Sequence, residues 1–211
     1  MILALTGFHP EVAEEDFKRF LKLPPLRDYP GPIADNAAWA RSWYAANGRP
    51  WLCADFVPAL SGGESGIVIG GRRFGGPELG LRFAGVSEAA VVAASAGPEA
   101  EAEAAARWAD DEPDLYFFLE SNASAVVEAM LAEARRRLEP MARLRGLERS
   151  AYYCPGYPGW TIADAPGLLE LLRSRGPLPG PLETLSSGML RPKKSQLSAV
   201  GFTVPGAPAD R

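Results

Sequence analysis

The most constraining feature of the sequence is a stretch of Pro-Gly pairs and aromatic residues at 153–160, which reads YCPGYPGW and which we call the Pro-Gly loop. Pro155 fixes its own φ angle, and Gly156 permits backbone conformations that other residues rarely adopt, so the next residue, Tyr157, is held on a stiff turn. The second Pro-Gly pair repeats this arrangement before Trp160. Two amphipathic rings on a rigid backbone suit either core packing or the border of a site for a flat ligand. The residue types alone leave both uses open.

A second polar segment follows at 187–195, which reads SGMLRPKKS. Its side chains Lys193, Lys194 and Ser195 could bind an anion or a carboxylate of a partner, or could be ordinary exposed residues of a turn. Glu128 lies among small apolar residues near the centre of the longest helical pattern. If its carboxylate is turned inward, it needs a charged or hydrogen-bonding partner, whereas a solvent-facing carboxylate does not. These alternatives also stay open at this point.

The composition is that of a soluble globular protein with one sizeable core, since 47% of the 211 residues are hydrophobic and 23% are charged. The net charge of −4 gives no reason to expect a nucleic-acid partner. Two distant cysteines and one histidine provide neither a metal-ligand spacing nor a disulfide framework. The first apolar run is too short for a signal peptide, and no run reaches membrane-spanning length. We therefore expect a cytoplasmic protein that binds neither nucleic acid nor a membrane.

Helical and strand patterns mix along the chain without a regular βαβ alternation, which favours the α+β class. The longest helical pattern, at 114–145, contains the weak helix formers Ser121-Asn122-Ala123-Ser124, which could bend the helix or let a ligand approach closely. We expect a helical extension at 1–62, a main domain at 63–204 and a frayed tail at 205–211. The other predicted helices cover 10–22, 35–47, 78–83, 99–109 and 163–175, and the predicted strands cover 51–57, 67–69, 86–95 and 197–204.

Two motifs that occur in this order carry a resemblance to a known family: Pro155-Gly156-Tyr157 with Trp160, and then Ser-Gly-Met-Leu-x-Pro-x-Lys-Ser. They resemble the activation (reactivation) domain family of cobalamin-dependent methionine synthase. The likeness is greater to the small stand-alone proteins that carry only this domain. The resemblance implies a central, mainly antiparallel twisted sheet with helices packed around it, and a groove lined by the Pro-Gly loop.

The resemblance also implies a ligand, S-adenosylmethionine, and cobalamin that is reached only through a partner protein. That partner would be a corrinoid-binding protein or a cobalamin-dependent methyltransferase. We accordingly predict that Tyr157 and Trp160 border a ligand groove, and that Glu128 and the segment 187–195 lie close to them. The ligand-binding residues implied in this way are Glu128, Tyr153, Pro155, Gly156, Tyr157, Trp160, Ser187, Met189, Lys194 and Ser195.

The resemblance implies two alternative functions. In the first, the protein is an accessory factor of corrinoid methyl transfer in methionine biosynthesis, and it supports reductive reactivation of a cobalamin-dependent methyltransferase. In the second, it is a non-catalytic binding module that docks on a corrinoid or redox partner or holds another flat small ligand. We nominate no catalytic residue, because there is no Ser-His-Asp set and Cys154 has no histidine beside it in the sequence. Whether the protein is an enzyme stays open.

One position departs from the family pattern. When the Pro-Gly-Tyr motifs are aligned, the family's arginine falls at Tyr152, and the nearest arginine is Arg149. An arginine can fork onto a carboxylate, whereas a tyrosine offers one hydroxyl and a ring face. Losing such a charge-assisted contact costs about 1.5–3 kcal/mol. We therefore predict weak binding of S-adenosylmethionine, with partner docking as the more durable property.

Overall fold

The computed structural model describes residues 1–25, 27–61 and 63–206. Position 62, where we expected a domain boundary, and residues 207–211 of the expected tail lie outside the described residues. The helices are α1 (Glu14–Phe20), α2 (Pro32–Asn47), α3 (Pro77–Arg82), α4 (Pro98–Ala109), α5 (Pro113–Leu144) and α6 (Ala165–Ser174). The strands are β1 (Leu3–Thr6), β2 (Trp51–Ser61), β3 (Ile67–Ile69), β4 (Arg72–Phe74), β5 (Glu88–Ser95), β6 (Glu148–Tyr153), β7 (Glu183–Thr184), β8 (Leu190–Arg191) and β9 (Ser195–Thr203).

Seven strands form one sheet. Six of them follow the order β4-β3-β2-β5-β9-β6, and the seventh, β1, pairs with the first residues of β2. Every pairing in this sheet is antiparallel. β2 is long enough that its first half pairs with β1 and its end pairs with β3, while β5 pairs along its other edge. β7 and β8 form a separate two-stranded ribbon. The α+β class and the mainly antiparallel sheet are therefore confirmed.

The central strands are built from small residues, and helices cover both faces of the sheet. Successive side chains of a strand point to opposite faces. In β5, Ala90 and Val92 belong to the core on one face, and Val91 and Ala93 belong to the core on the other. Residues of α5 complete the first core, and residues of α3, α6 and the Pro-Gly loop complete the second. The predicted loop is thus fixed to the sheet on the face opposite to α5.

α5 is one helix of 32 residues, and it continues through the weak helix formers at 121–124. Ser121, Asn122 and Ala123 are buried rather than exposed. A buried Asn in the middle of a helix is unusual, and its surroundings are described below. Among the residues described by the structure, no helix has the length and apolar character required to cross a membrane.

The region 1–62, predicted as a helical extension, contains strands of the sheet as well as helices. α1 and α2 do lie there, and Phe17 of α1 packs with Ala40 of α2 and Phe118 of α5 in a small core of its own. The same region also supplies β1 and β2, and β2 is a central strand of the sheet. These residues therefore belong to the main domain.

Three strands of the large sheet and both strands of the two-stranded ribbon were not predicted, and two helices begin three or four residues away from the expected start. β1 and β4 have only four and three residues, which is too short for an alternating pattern to be visible. The first residues of β6 are exposed, and their partners lie far along the chain in β9. α1 begins at Glu14 rather than at residue 10, and α2 begins at Pro32, where a proline suits the first turn, rather than at residue 35.

Candidate functional site

The Pro-Gly loop is held in place by its own hydrogen bonds. The Gly156 N–H donates to the Trp160 carbonyl oxygen at 2.8 Å, and the Trp160 N–H donates to the Tyr157 carbonyl oxygen at 2.9 Å. Gly156 has a φ of +94°, a left-handed conformation that residues with a Cβ atom rarely adopt. The Tyr153 hydroxyl donates to the Pro158 carbonyl oxygen at 2.5 Å and so joins the loop to the strand before it.

The two predicted rings of this loop have different environments. Trp160 is only 2% exposed, packs edge-on against Phe74 and Phe83, and donates its indole N–H to Asp164 at 3.0 Å. The prediction that Trp160 borders a ligand groove is therefore wrong, because its ring is part of the core. Tyr157, by contrast, is 46% exposed.

Tyr157 lies where two cavities of about 260 Å³ and 280 Å³ meet, and we call the two together the groove. Both cavities are lined by Tyr157, Lys193, Ser195 and Gln196. The groove is thus formed by α1, α5, the Pro-Gly loop, residues 162–165 and the segment 188–197. The first cavity is also lined by Phe20, Ser124, Val127, Glu128 and Lys194. The second is also lined by Pro155, Ile162, Ala165, Gly188, Met189, Leu190 and Leu197.

The structure brings most of the predicted site residues to this groove. Tyr153 and Gly156 are not among its lining residues but shape the loop, and the Tyr153 ring packs edge-on against the exposed tyrosine of the loop at 5.4 Å. Ser187 is exposed in the turn before Met189, whose N–H donates to the Ser187 hydroxyl at 3.4 Å. Trp160 and Ser187 therefore stand apart from the groove. The predicted residues that line it are Glu128, Pro155, Tyr157, Met189, Lys194 and Ser195.

Lys193 and Lys194 share one carboxylate of α5. The oxygens of Glu120 lie 3.0 Å from the Lys193 Nζ and 3.2 Å from the Lys194 Nζ. Lys194 also donates to the Ser124 hydroxyl at 2.9 Å. Partial burial alone would lower the pKa of Lys193, but the hydrogen bond and the charge of Glu120 outweigh it and raise that pKa. Both lysines are therefore engaged within the protein, and neither is a freely exposed turn charge.

Ser195 connects the groove to the corner between β5 and α4. Its hydroxyl donates to the Ser95 Oγ at 2.8 Å, and that oxygen also accepts the Gly97 N–H at 3.1 Å. The Ala96 N–H donates to the Lys194 carbonyl oxygen at 2.9 Å. These hydrogen bonds join the start of α4 to the segment that lines the groove, and they fix the position of α4 relative to the groove.

Gln196 was not among the predicted residues. Its carboxamide donates to the Cys154 sulfur at 2.7 Å and to the hydroxyls of Tyr152 and Tyr157 at 3.3 Å and 3.5 Å. Burial raises the pKa of the Cys154 thiol, although its hydrogen bonds with Tyr152 and Gln196 act in the opposite direction. Burial is also the main cause of the raised pKa of Tyr152. The sequence did contain a signal for Gln196. It lies two residues after Lys194 in an extended segment, and side chains two residues apart in such a segment point to the same face.

Glu128 and Phe20 complete the first cavity. Glu128 is half-buried, and its carboxylate has no hydrogen bond or ion pair with the residues that the structure describes. A carboxylate in this position attracts a cationic group of a ligand. Phe20 is half-buried at the end of α1. It could not have been found from the sequence, because the docking of α1 depends on tertiary packing around Phe17.

This arrangement is suited to binding. The exposed Tyr157 ring and the apolar side chains of Ile162 and Met189 can cover a flat group, and Glu128 can bind a positive one. Within residues 1–25, 27–61 and 63–206, no group of three or more His, Cys, Asp or Glu side chains is placed to hold a metal ion.

Comparison with solved structures places this architecture in a known fold. The structure is similar to the crystal structure of the MetH reactivation domain bound to AdoHcy, with a TM-score of 0.62. The match covers 98% of this chain and 80% of that chain, at 14% sequence identity, and at this identity it establishes the shared fold alone. No family model and no curated protein matches the sequence.

Proposed function

We propose that this protein is an accessory factor of corrinoid methyl transfer, which supports reductive reactivation of a cobalamin-dependent methyltransferase by binding an S-adenosyl ligand. The observation that carries the proposal is a groove between α5 and the Pro-Gly loop, in a fold of which one solved structure holds AdoHcy. Parts of the sequence motifs that suggested the same domain family line this groove, including Pro155 and Tyr157 of the first motif and Met189, Lys194 and Ser195 of the second.

The chemistry of the lining supports an S-adenosyl ligand. Such a ligand has a flat base, an ammonium group and, in S-adenosylmethionine, a sulfonium cation. The exposed ring of Tyr157 is available for the flat base, and the carboxylate of Glu128 is available for a cation. The corrinoid would belong to the partner, which would supply a methyl-accepting cobalt once a one-electron reductant has restored it.

Weak affinity is part of the proposal, because the cations that could bind the ligand carboxylate are already paired. Arg149, the arginine nearest to the family position, lies 3.1 Å from Glu139. Lys194 is paired with Glu120. A ligand carboxylate would have to compete with these internal acids.

A second candidate, the non-catalytic docking module, is favoured by the apolar rim of the groove. Tyr157, Ile162 and Met189 are 46%, 40% and 57% exposed, and all three line the same cavity. Exposed aromatic and Met side chains grouped around a cavity are typical of protein-binding surfaces. The partner would be the corrinoid protein itself, so docking and ligand binding could use adjoining surfaces.

The proposal is tested by a reactivation assay. A cobalamin-dependent methyltransferase in its cob(II)alamin form is mixed with a one-electron reductant and S-adenosylmethionine, and its absorbance spectrum is followed with and without this protein. We expect faster recovery with the protein, and less stimulation by a Glu128→Gln variant. No stimulation, but stable complex formation with the methyltransferase, would support the docking module instead.

A further inference from the structure

A third cavity, separate from the groove, lies between the N-terminal segment, α2 and α5. Its volume is about 190 Å³, and none of its lining residues lines the groove. The apolar part of its wall comes from all three segments. The lining residues are His9, Pro10, Val12, Arg41, Tyr44, Ala45, Asn122 and Val126.

Asn122 is the residue that makes this cavity more than a packing defect. It lies in the middle of α5, is 3% exposed and lines the cavity. Its carboxamide takes part in none of the side-chain hydrogen bonds found within the part of the chain that the structure describes, and its polar atoms are not among the fully enclosed ones, as expected of a group that faces a cavity. A buried amide without a partner is destabilising, and such groups are normally satisfied by protein, water or ligand. The Asn122 side chain therefore has hydrogen-bonding capacity available to an occupant.

The other polar residues of the wall define the charge of that occupant. The Tyr44 hydroxyl donates to the Ala96 carbonyl oxygen at 2.6 Å, and burial, followed by the nearby Glu99, raises the Tyr44 pKa, so this wall is neutral. Arg41 contributes a positive charge: a terminal nitrogen of its guanidinium is paired with Glu14 on the solvent side, whereas its buried Nε has no hydrogen-bond partner among the residues that the structure describes. The negative charge of Glu99 disfavours an anion beside Tyr44. An anion in this cavity would therefore bind next to Arg41 and Asn122.

We propose that this cavity is a binding site for a small monocarboxylic acid. The carboxylate would accept hydrogen bonds from the Asn122 carboxamide and the Arg41 guanidinium, and the alkyl chain would lie against Val12 and Val126. A volume of about 190 Å³ equals roughly six water molecules at about 30 Å³ each, which is room for an acid of about four carbons. This site is independent of the groove and of the function proposed for it.

The test is an NMR titration of the full chain with sodium butyrate, followed at the side-chain amide of Asn122. Sodium chloride at the same ionic strength and neutral butanamide are the matched controls. We expect a saturable shift with butyrate alone. Asn122→Leu, followed at the Tyr44 ring, and Arg41→Met should each weaken the binding more than tenfold, because a charge-assisted hydrogen bond is lost.

Ser198→Ala, which removes a buried polar group elsewhere in the sheet, should leave butyrate binding unchanged. Arg41 is partly exposed, so its variant keeps the test informative if Asn122→Leu does not fold. The proposal is overturned if butyrate gives no saturable shift, which means that the cavity holds only water. It is also overturned if butanamide binds equally well, or if both variants bind butyrate as the parent does.

Discussion

The ammonium group of Lys194 lies 3.2 Å from a carboxylate oxygen of Glu120, so a cation in the wall of the groove is already paired within the protein. The same carboxylate lies 3.0 Å from Lys193. Glu120 is largely buried, and both lysines are therefore less available to an anionic group of a ligand. Because of this pairing, we expect the groove to bind an S-adenosyl ligand weakly.

Replacing Glu120 with Gln should strengthen the binding of AdoHcy. The substitution removes the internal negative charge and leaves Lys193 and Lys194 free to bind the ligand carboxylate. We expect a gain of about two- to fivefold at low salt that diminishes as salt is added. Titrations at two ionic strengths measure this, and weaker binding by the variant would show that the lysines do not face the ligand.

Phe20→Ala tests whether α1 completes the groove. Phe20 lines the first cavity together with Glu128. Removing a ring that packs on a flat base costs about 1–3 kcal/mol, or roughly 5- to 150-fold in affinity. The matched control is Phe117→Ala on α5, which is exposed and lies outside the groove. Equal effects of the two substitutions on AdoHcy binding would contradict a role for Phe20.

Two serines of the sheet should respond in opposite ways to the same substitution. Ser198 and Ser95 are both fully buried, but among residues 1–25, 27–61 and 63–206 the Ser198 hydroxyl finds no hydrogen-bond partner, whereas Ser95 bonds to Ser195 and Gly97. Ser198→Ala should raise the free energy of unfolding by about 1 kcal/mol, and Ser95→Ala should lower it by about 1–3 kcal/mol. Urea denaturation of both variants measures the difference, and a loss of stability in Ser198→Ala would mean that its hydroxyl is satisfied.

The protein should become less stable at alkaline pH because of Cys53. Burial raises the pKa of this thiol from 9.0 to about 12 in the folded protein. The unfolded state loses the proton first, so the stabilisation is complete below pH 9 and is lost as the pH rises toward 12. We expect a loss of about 1 kcal/mol between pH 8 and pH 10. The free energy of unfolding, measured by urea denaturation at several pH values, should fall less steeply between pH 8 and pH 10 in Cys53→Ala. The same fall in the variant as in the parent would contradict this role of Cys53.

Local patterns were sufficient for the elements with strong periodicity and for the stiff turn. The long helix α5, the strand β5 and the Pro-Gly loop were predicted because apolar spacing and proline or glycine chemistry act within a few residues. The same chemistry could not tell which ring of the loop faces solvent. Trp160 is core and Tyr157 is not, because Phe74 and Phe83, far away in sequence, cover only the first.

Features that depend on long-range packing were missed for the same reason. The role of residues before 62 changes once β2 is seen to pair with β5. The Phe20 side chain reaches the groove only because α1 docks on α5. The pairing of Glu120 with Lys194 joins residues more than seventy positions apart, and no sequence pattern indicates it.

The most direct test of the central claim is a calorimetric titration of the protein with AdoHcy, repeated with the variants Glu128→Gln and Tyr157→Ala. We predict saturable binding with a dissociation constant of about 100 µM or weaker, reduced at least tenfold further in each variant and unchanged in Asn122→Leu. Absence of binding at millimolar ligand, or an affinity that both groove variants leave unchanged, would contradict the claim that this groove binds an S-adenosyl ligand.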